Sequence, residues 1–286
     1  QIPPQDKTDH PVLNYQWATK NCNRDLPEEH IREIRKTYLA MVATLDEMLG
    51  NFLTEIKDMG LNESTYIIFT SDHGEMAMEH DQILKRTMYE SSIHVPMIIT
   101  GPEVKKGLEI ENPVSLIDIF PTLMDIADCS TDIELEGESL VPLLAGKSDK
   151  RRDWIFSEYH GDRCNTGAYM LRKGNWKYIH YVGYEPLLFN LNEDPWEIDN
   201  VAAENTKKVA EFEKLLGDIL DYKEVDQKAK KYDKENFRKW RKEHIEIGNY
   251  KKIMSEVYSG FDRLTIEDIV PWKKADEMII EEWLKE

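Results

Sequence analysis

The sequence predicts an α/β fold in three parts: a layered sheet domain, a small antiparallel-sheet subdomain and a charged helical tail. Three observations carry this reading. A long amphipathic segment, 28–59, precedes two short, continuously apolar β runs at 66–69 and 95–100. From Trp154 the texture changes to short aromatic-rich runs split by Gly and Asn. Beyond residue 222, charges alternate with scattered aromatics. The expected parts are 1–150, 151–222 and 223–286.

Each element follows from its local pattern. Residues 1–27 are rich in Pro and polar side chains without a clear period, and read as a loop. Between Glu28 and Met59, apolar residues recur at three- and four-residue steps from Ile31 to Met59, the spacing of one helix face. Glu28 and Glu29 suit the positive end of that helix, and Gly60 sits where it would stop. Gly50 interrupts it at a cost of about 1 kcal/mol unless a close packing contact needs it. Tyr66–Phe69 and Val95–Thr100 do not alternate, and such strands are commonly covered on both faces in parallel sheets. Residues 118–127 read as a helix with Pro121 in its first turn. Runs beginning at Trp154, Ala168, Trp176 and Leu187 predict a sheet of about four antiparallel strands. A helix over about 206–222 follows. The tail, with Phe237, Trp240, Tyr250, Trp272 and Trp283, reads as helical segments wrapping the body.

Composition bounds the function. The chain has 286 residues, 41% of them hydrophobic and 32% charged, enough for a sizeable core. No apolar run approaches the ~20 residues of a membrane span. The net charge is −18, and residues 1–222 hold all of it, with 22 basic against 40 acidic side chains. That surface argues against nucleic-acid binding, which needs basic stripes. It also repels anions, so an anionic substrate needs local positive charge from a metal or a lysine. Cys22, Cys129 and Cys164 match no zinc-knuckle spacing and read as isolated thiols or one disulfide. Asn62-Glu-Ser64 is a glycosylation sequon, meaningful in a secreted chain. The chain starts at Gln1 and shows no leader, which points to a processed or truncated chain.

The string Tyr66-Ile-Ile-Phe-Thr-Ser-Asp-His-Gly-Glu75, with Lys85 ten residues on, concentrates the chemistry. Ligands of open α/β sheets gather at the carboxyl ends of strands, where Asp72 and His73 fall if the strand is parallel. A carboxylate is a hard oxygen ligand, and imidazole suits many divalent ions. Gly74 would let the backbone pass close to a bound ion. The plain alternative is a turn capping a helix at Glu75. Lys85, after Ile83-Leu84, would neutralise one oxygen of a sulfate or phosphate, or lie solvated on the surface. His80 reads as a supporting partner or an ordinary polar residue, and His94 as a partner for a backbone carbonyl. His10 and His160 would protonate a leaving group or recognise a carboxylate, or serve as loop histidines.

Together these residues resemble the sulfatase family of the alkaline-phosphatase-like superfamily. The matching string is FTSDHGEMAMEHDQILKRTMYESSIHVPMIITGP, supported by VSLIDIFPTLMDIA and LFNLNEDPWEIDNVA. This likeness spans about residues 28–222. SEYHG, TKNC and FRKWRKEHIEIGNY extend it over nearly the whole chain, toward a lysosomal branch acting on a sulfated uronate. The resemblance implies Asp72 and His73 as Ca2+ ligands and Lys85 as the sulfate holder. It implies His10 and His160 as substrate contacts, with a sulfated sugar or aryl sulfate as substrate. It implies a glycoprotein of glycosaminoglycan degradation, lysosomal or secreted.

One departure matters. Sulfatases form formylglycine from cysteine in C-x-P-S-R or C-x-P-x-R, and none of the three cysteines here has Pro two places later. The expectation is therefore a C-terminal portion of a sulfatase, without its nucleophile and inactive alone. Two alternatives stand beside a sulfatase: a phosphodiesterase or phosphonate hydrolase of the same superfamily, and a catalytically inactive truncated chain. All three share one spatial expectation, that Asp72, His73 and Lys85 converge.

Overall fold

A computed structural model describes residues 2–4, 9–20, 22, 26–147, 151–262 and 274–285. Asn21, Trp272 and the expected boundary at 150 lie outside the described residues.

The first helix, α1 (Pro11–Thr19), forms where the sequence reads as a loop. Its start is set by Pro11 at the first helical position and by His10, whose Nδ1 accepts the Val12 N–H at 3.3 Å. That imidazole cap replaces the usual Ser, Thr, Asp or Asn, so the start carries no standard signal. The long helix α2 (Glu28–Asp58) follows the expected periodicity. Its apolar stripe is nevertheless exposed: Ile31 is buried, whereas Met41, Leu45, Met48 and Phe52 are not. Gly50 meets no atom within 4 Å, so no close packing explains it.

β1 (Ile67–Thr70) and β2 (Met97–Thr100) pair antiparallel, Ile67 opposite Thr100 and Thr70 opposite Met97. This corrects the parallel expectation. A parallel pair needs a long crossover connection, usually helical. Here the intervening chain holds one 3-10 turn (Glu79–Asp81) and one helical turn, α3 (Glu90–Ile93). α4 (Ile119–Ile126) follows a Ser115/Asp118 capping box, and α5 (Val141–Leu144) is a single turn.

The second sheet forms as the aromatic runs predict. β3 (Trp154–Tyr159), β4 (Ala168–Lys173), β5 (Trp176–Tyr181) and β6 (Leu187–Asn190) pair antiparallel in sequence order. Side chains alternate across it. On one face Tyr169, Leu171, Tyr178 and Leu188 pack on Phe212 and Leu216 of α6 (Thr206–Ile219). On the other, Met170, Ile179, Tyr181, Leu187 and Phe189 pack on Val12 and Leu13 of α1 and on Met76, Met88 and Tyr89. The sheet is thus a platform beneath the 71–90 segment.

The tail forms α7 (Tyr222–Ile247), α8 (Tyr250–Asp262) and α9 (Lys274–Lys285). Asp221 caps α7, and buried Asp226 accepts the Gly167 N–H at 2.7 Å, docking the helix on the β3–β4 connection.

Candidate anion and metal site

β1 ends at Thr70, and the next residues turn sharply. Ser71 Oγ donates to the His73 carbonyl at 2.7 Å, and the His73 N–H donates to Asp72 Oδ1 at 3.0 Å. These short-range bonds point Asp72 into solvent, its side chain 85% exposed. His73 Nδ1 lies 2.7 Å from the Gly74 carbonyl. A carbonyl only accepts, so Nδ1 carries the proton and Nε2 keeps its lone pair. Lys85 Nζ lies 2.8 Å from that Nε2, and Asp72 Oδ2 lies 3.5 Å from it. The acid, the imidazole and the ammonium therefore meet at one point.

The segment joining them is held in an uncommon shape. Ala77, Met78, His80, Asp81, Leu84 and Arg86 all adopt positive φ, in chain positions 77–86. Left-handed backbone at non-glycine residues costs of order 1–3 kcal/mol each and gathers at functional sites. Glu75 supplies the restraint: its Oε1 accepts the Ala77 N–H at 3.1 Å and the Leu84 N–H at 2.6 Å. The Met76 N–H bonds the Leu84 carbonyl at 2.8 Å, closing the loop just before Lys85. Arg35 of α2 reaches in to bond the Ala77 carbonyl at 2.9 Å.

Gly74 has a different reason from the one its sequence position suggests. Its φ is not left-handed, and a Cβ there would lie 2.1 Å from the Ser91 carbonyl oxygen. Its N–H bonds the Ser92 carbonyl at 2.7 Å. The glycine admits α3, rather than an ion, against the turn. No helix begins at Glu75, so the helix-capping alternative fails.

The other histidines each have partners of their own. His80 is buried and stacks on Tyr89, with ring centroids 3.7 Å apart; burial pushes its pKa down to about 4. His94 bonds the Glu90 carboxylate at 3.0 Å, where sequence suggests a backbone carbonyl. His10 has both ring nitrogens engaged, Nδ1 in the α1 cap and Nε2 donating to the Glu185 carbonyl at 2.9 Å. Burial holds it below the ordinary histidine pKa. It lines a cavity of about 530 Å³ with Asp9, Tyr184 and Asn200. His160 sits beyond β3, its Nε2 3.5 Å from Glu158 and its ring edge-on to Tyr169. Its loop reaches the site indirectly: Asp162 accepts a 2.9 Å bond from Arg86, the neighbour of Lys85. Glu75, Arg86 and Asp162 were not legible as contributors. Glu75 reads only as part of a string, and Arg86 and Asp162 are 76 residues apart.

The donors fit a hard divalent cation in part. A solvent-facing carboxylate and a neutral imidazole with its Nε2 lone pair are suitable ligands. Among the described residues no group of three or more His, Cys, Asp or Glu gathers for a metal. Lys85 Nζ occupies the Nε2 lone pair at 2.8 Å, the atom with which His73 would hold a cation. The three cysteines are free thiols. Among the described residues no helix is long and apolar enough to cross a membrane.

Comparison with known proteins identifies the family. The Sulfatase family profile matches residues 6–129, and that of N-sulphoglucosamine sulphohydrolase, C-terminal, matches residues 78–226. Arylsulfatase K of Danio rerio is 41% identical over 286 residues, covering 96% of this chain and 52% of that protein. The chain spans about half the length of the curated relatives it matches. The phosphonate monoester hydrolase of Agrobacterium radiobacter aligns at 34% identity with a TM-score of 0.62, over 68% of this chain and 42% of that one. A 2-O GAG sulfatase aligns with a TM-score of 0.70 at 23% identity, over 80% of this chain and 54% of that one, and shows the shared fold. The matched residues include both the segment from Asp72 to Lys85 and the antiparallel sheet beneath it, and the chain belongs to the sulfatase family.

Proposed function

We propose that this chain supplies the anion-binding half of a sulfuric ester hydrolase acting on a sulfated uronate or related glycosaminoglycan. The observation behind this is the meeting of Lys85 Nζ with His73 Nε2 at 2.8 Å, beside Asp72. Lys85 would bind one sulfuryl oxygen and stabilise the charge that grows there. Asp72 and His73 would hold Ca2+, which when bound polarises the same group. His10 and His160 would shape the sugar side of the pocket. No residue of this chain fits the formylglycine motif, so the nucleophile comes from outside it and the chain alone has no turnover. The 1–150, 151–222 and 223–286 parts would be the end of the catalytic domain, its sheet subdomain and its tail. The same reading places the protein in a lysosome or outside the cell, with Asn62 glycosylated.

The test is a chimera joining this chain to the preceding half of the Danio rerio relative. Lys85→Ala in that chimera lowers turnover of an aryl sulfate by ~100- to 1,000-fold, the usual effect of losing one such donor. Full activity in that variant refutes the assignment. The likeness to the Agrobacterium radiobacter enzyme favours a second reading, a phosphonate ester hydrolase. Preference of the chimera for a phosphonate monoester, with zinc or manganese bound, establishes it in place of the first.

A further inference from the structure

Beneath the site lies a buried ion network that the proposed chemistry does not use. Lys177, on β5, is completely buried, and its Nζ lies 2.7 Å from Glu197 Oε1 and 3.0 Å from Glu90 Oε1. Arg172, on β4, bonds the other Glu90 oxygen at 3.0 Å, as does His94. Glu197 Oε2 accepts the Glu90 backbone N–H at 2.6 Å. Two acids thus meet two basic side chains, in a place where an unpaired charge is costly.

The network reaches both halves of the anion site. Glu90 opens α3 and stands five residues after Lys85, so fixing its backbone and carboxylate fixes the end of the Lys85 segment. Two residues on, the Ser92 carbonyl accepts the Gly74 N–H at 2.7 Å, directly after His73. Ser91 closes on Gly74 so tightly that no Cβ fits. A displacement at Glu90 therefore moves Lys85 along one strand of chain and His73 along another. Glu90 is held down at about 2: burial opposes this, but the His94 hydrogen bond and the charges of Lys177 and Arg172 outweigh it.

We propose that Lys177 is a positioning residue for the anion site, setting the Lys85–His73 contact through Glu90 and Glu197. This rests on reading Asp72, His73 and Lys85 as that site. The experiment is side-chain nitrogen NMR of the histidines in the whole 286-residue chain, with and without inorganic sulfate. Four proteins are compared: wild type, Lys177→Met, Lys177→Met with Glu197→Gln, and Lys85→Ala. The double variant removes both buried charges of one pair and keeps an acceptor for the Glu90 N–H, so it covers unfolding of the single one. Positioning predicts that, without sulfate, the His73 Nε2 resonance in the folded Lys177 variants shifts toward its Lys85→Ala value. A wild-type His73 resonance in the double variant overturns the proposal. Unfolding of both Lys177 variants also overturns it, because the network then serves folding rather than placement. The site reading is judged separately: a sulfate-induced His73 shift that survives in Lys85→Ala sinks that reading alone.

Discussion

Gly74→Ala offers a sharp test of the local architecture. An added Cβ would stand 2.1 Å from the Ser91 carbonyl oxygen and 3.0 Å from its carbon. Both atoms are backbone, and α3 is fixed behind them by the buried Glu90–Lys177 pair, so they cannot swing aside. Relief requires a shift of about an ångström, a form of overpacking that costs ~1–3 kcal/mol. It also stretches the Gly74 N–H bond to Ser92, worth ~1 kcal/mol. The expected loss is therefore ~2–4 kcal/mol, read as a lower midpoint in urea unfolding with an unchanged slope. Gly50→Ala is the internal control. It makes the same chemical change in a helix interior with no atom within 4 Å, and should stabilise by about 1 kcal/mol. A Gly74→Ala protein within ~0.5 kcal/mol of wild type would show that α3 does not press on the turn.

Three further outcomes follow from other parts of the molecule. Arg151 bonds Asp118 at 2.5 Å with both side chains almost fully buried, so Arg151→Met should cost ~3–5 kcal/mol in denaturant midpoints; a loss under ~1 kcal/mol contradicts the pairing. Stability should fall as pH drops from about 6.5 to 4, because the fold keeps His80 neutral to about 4 while the unfolded chain takes its proton near 6.5. That component, roughly 3 kcal/mol, is complete above the window; His80→Phe should flatten it, leaving the separate loss below about 4.5 from Glu90. Finally, the exposed stripe of Met41, Leu45, Met48 and Phe52 should make the isolated chain associate. Sedimentation should show concentration-dependent oligomers that Leu45→Glu and Phe52→Glu reduce, and a monomer at all concentrations contradicts this.

Much of the fold was legible because it is encoded locally. The four strands from Trp154 to Asn190 announce themselves by aromatic runs and intervening turns, and the helix α2 by its periodicity. What was missed depends on distant partners. α1 is capped by an imidazole that also bonds Glu185, 175 residues away. The β1–β2 pairing is antiparallel, a direction that apolar content does not report. The exposed stripe on α2 shows that helical spacing records what a face can bury, not what covers it. At the site, residue type and order were enough to bring Asp72, His73 and Lys85 together. The roles of Gly74, Glu75 and Arg86 were hidden, since each is defined by a carbonyl, an amide or a carboxylate that no local pattern names.

The most direct test of the central claim is a crystal of this chain soaked in selenate, a tetrahedral anion visible by its anomalous signal. A selenium peak is expected within hydrogen-bonding range of the Lys85 ammonium, next to His73 and Asp72, and it should disappear in Lys85→Ala. A peak elsewhere alone, or one unchanged by that substitution, contradicts it.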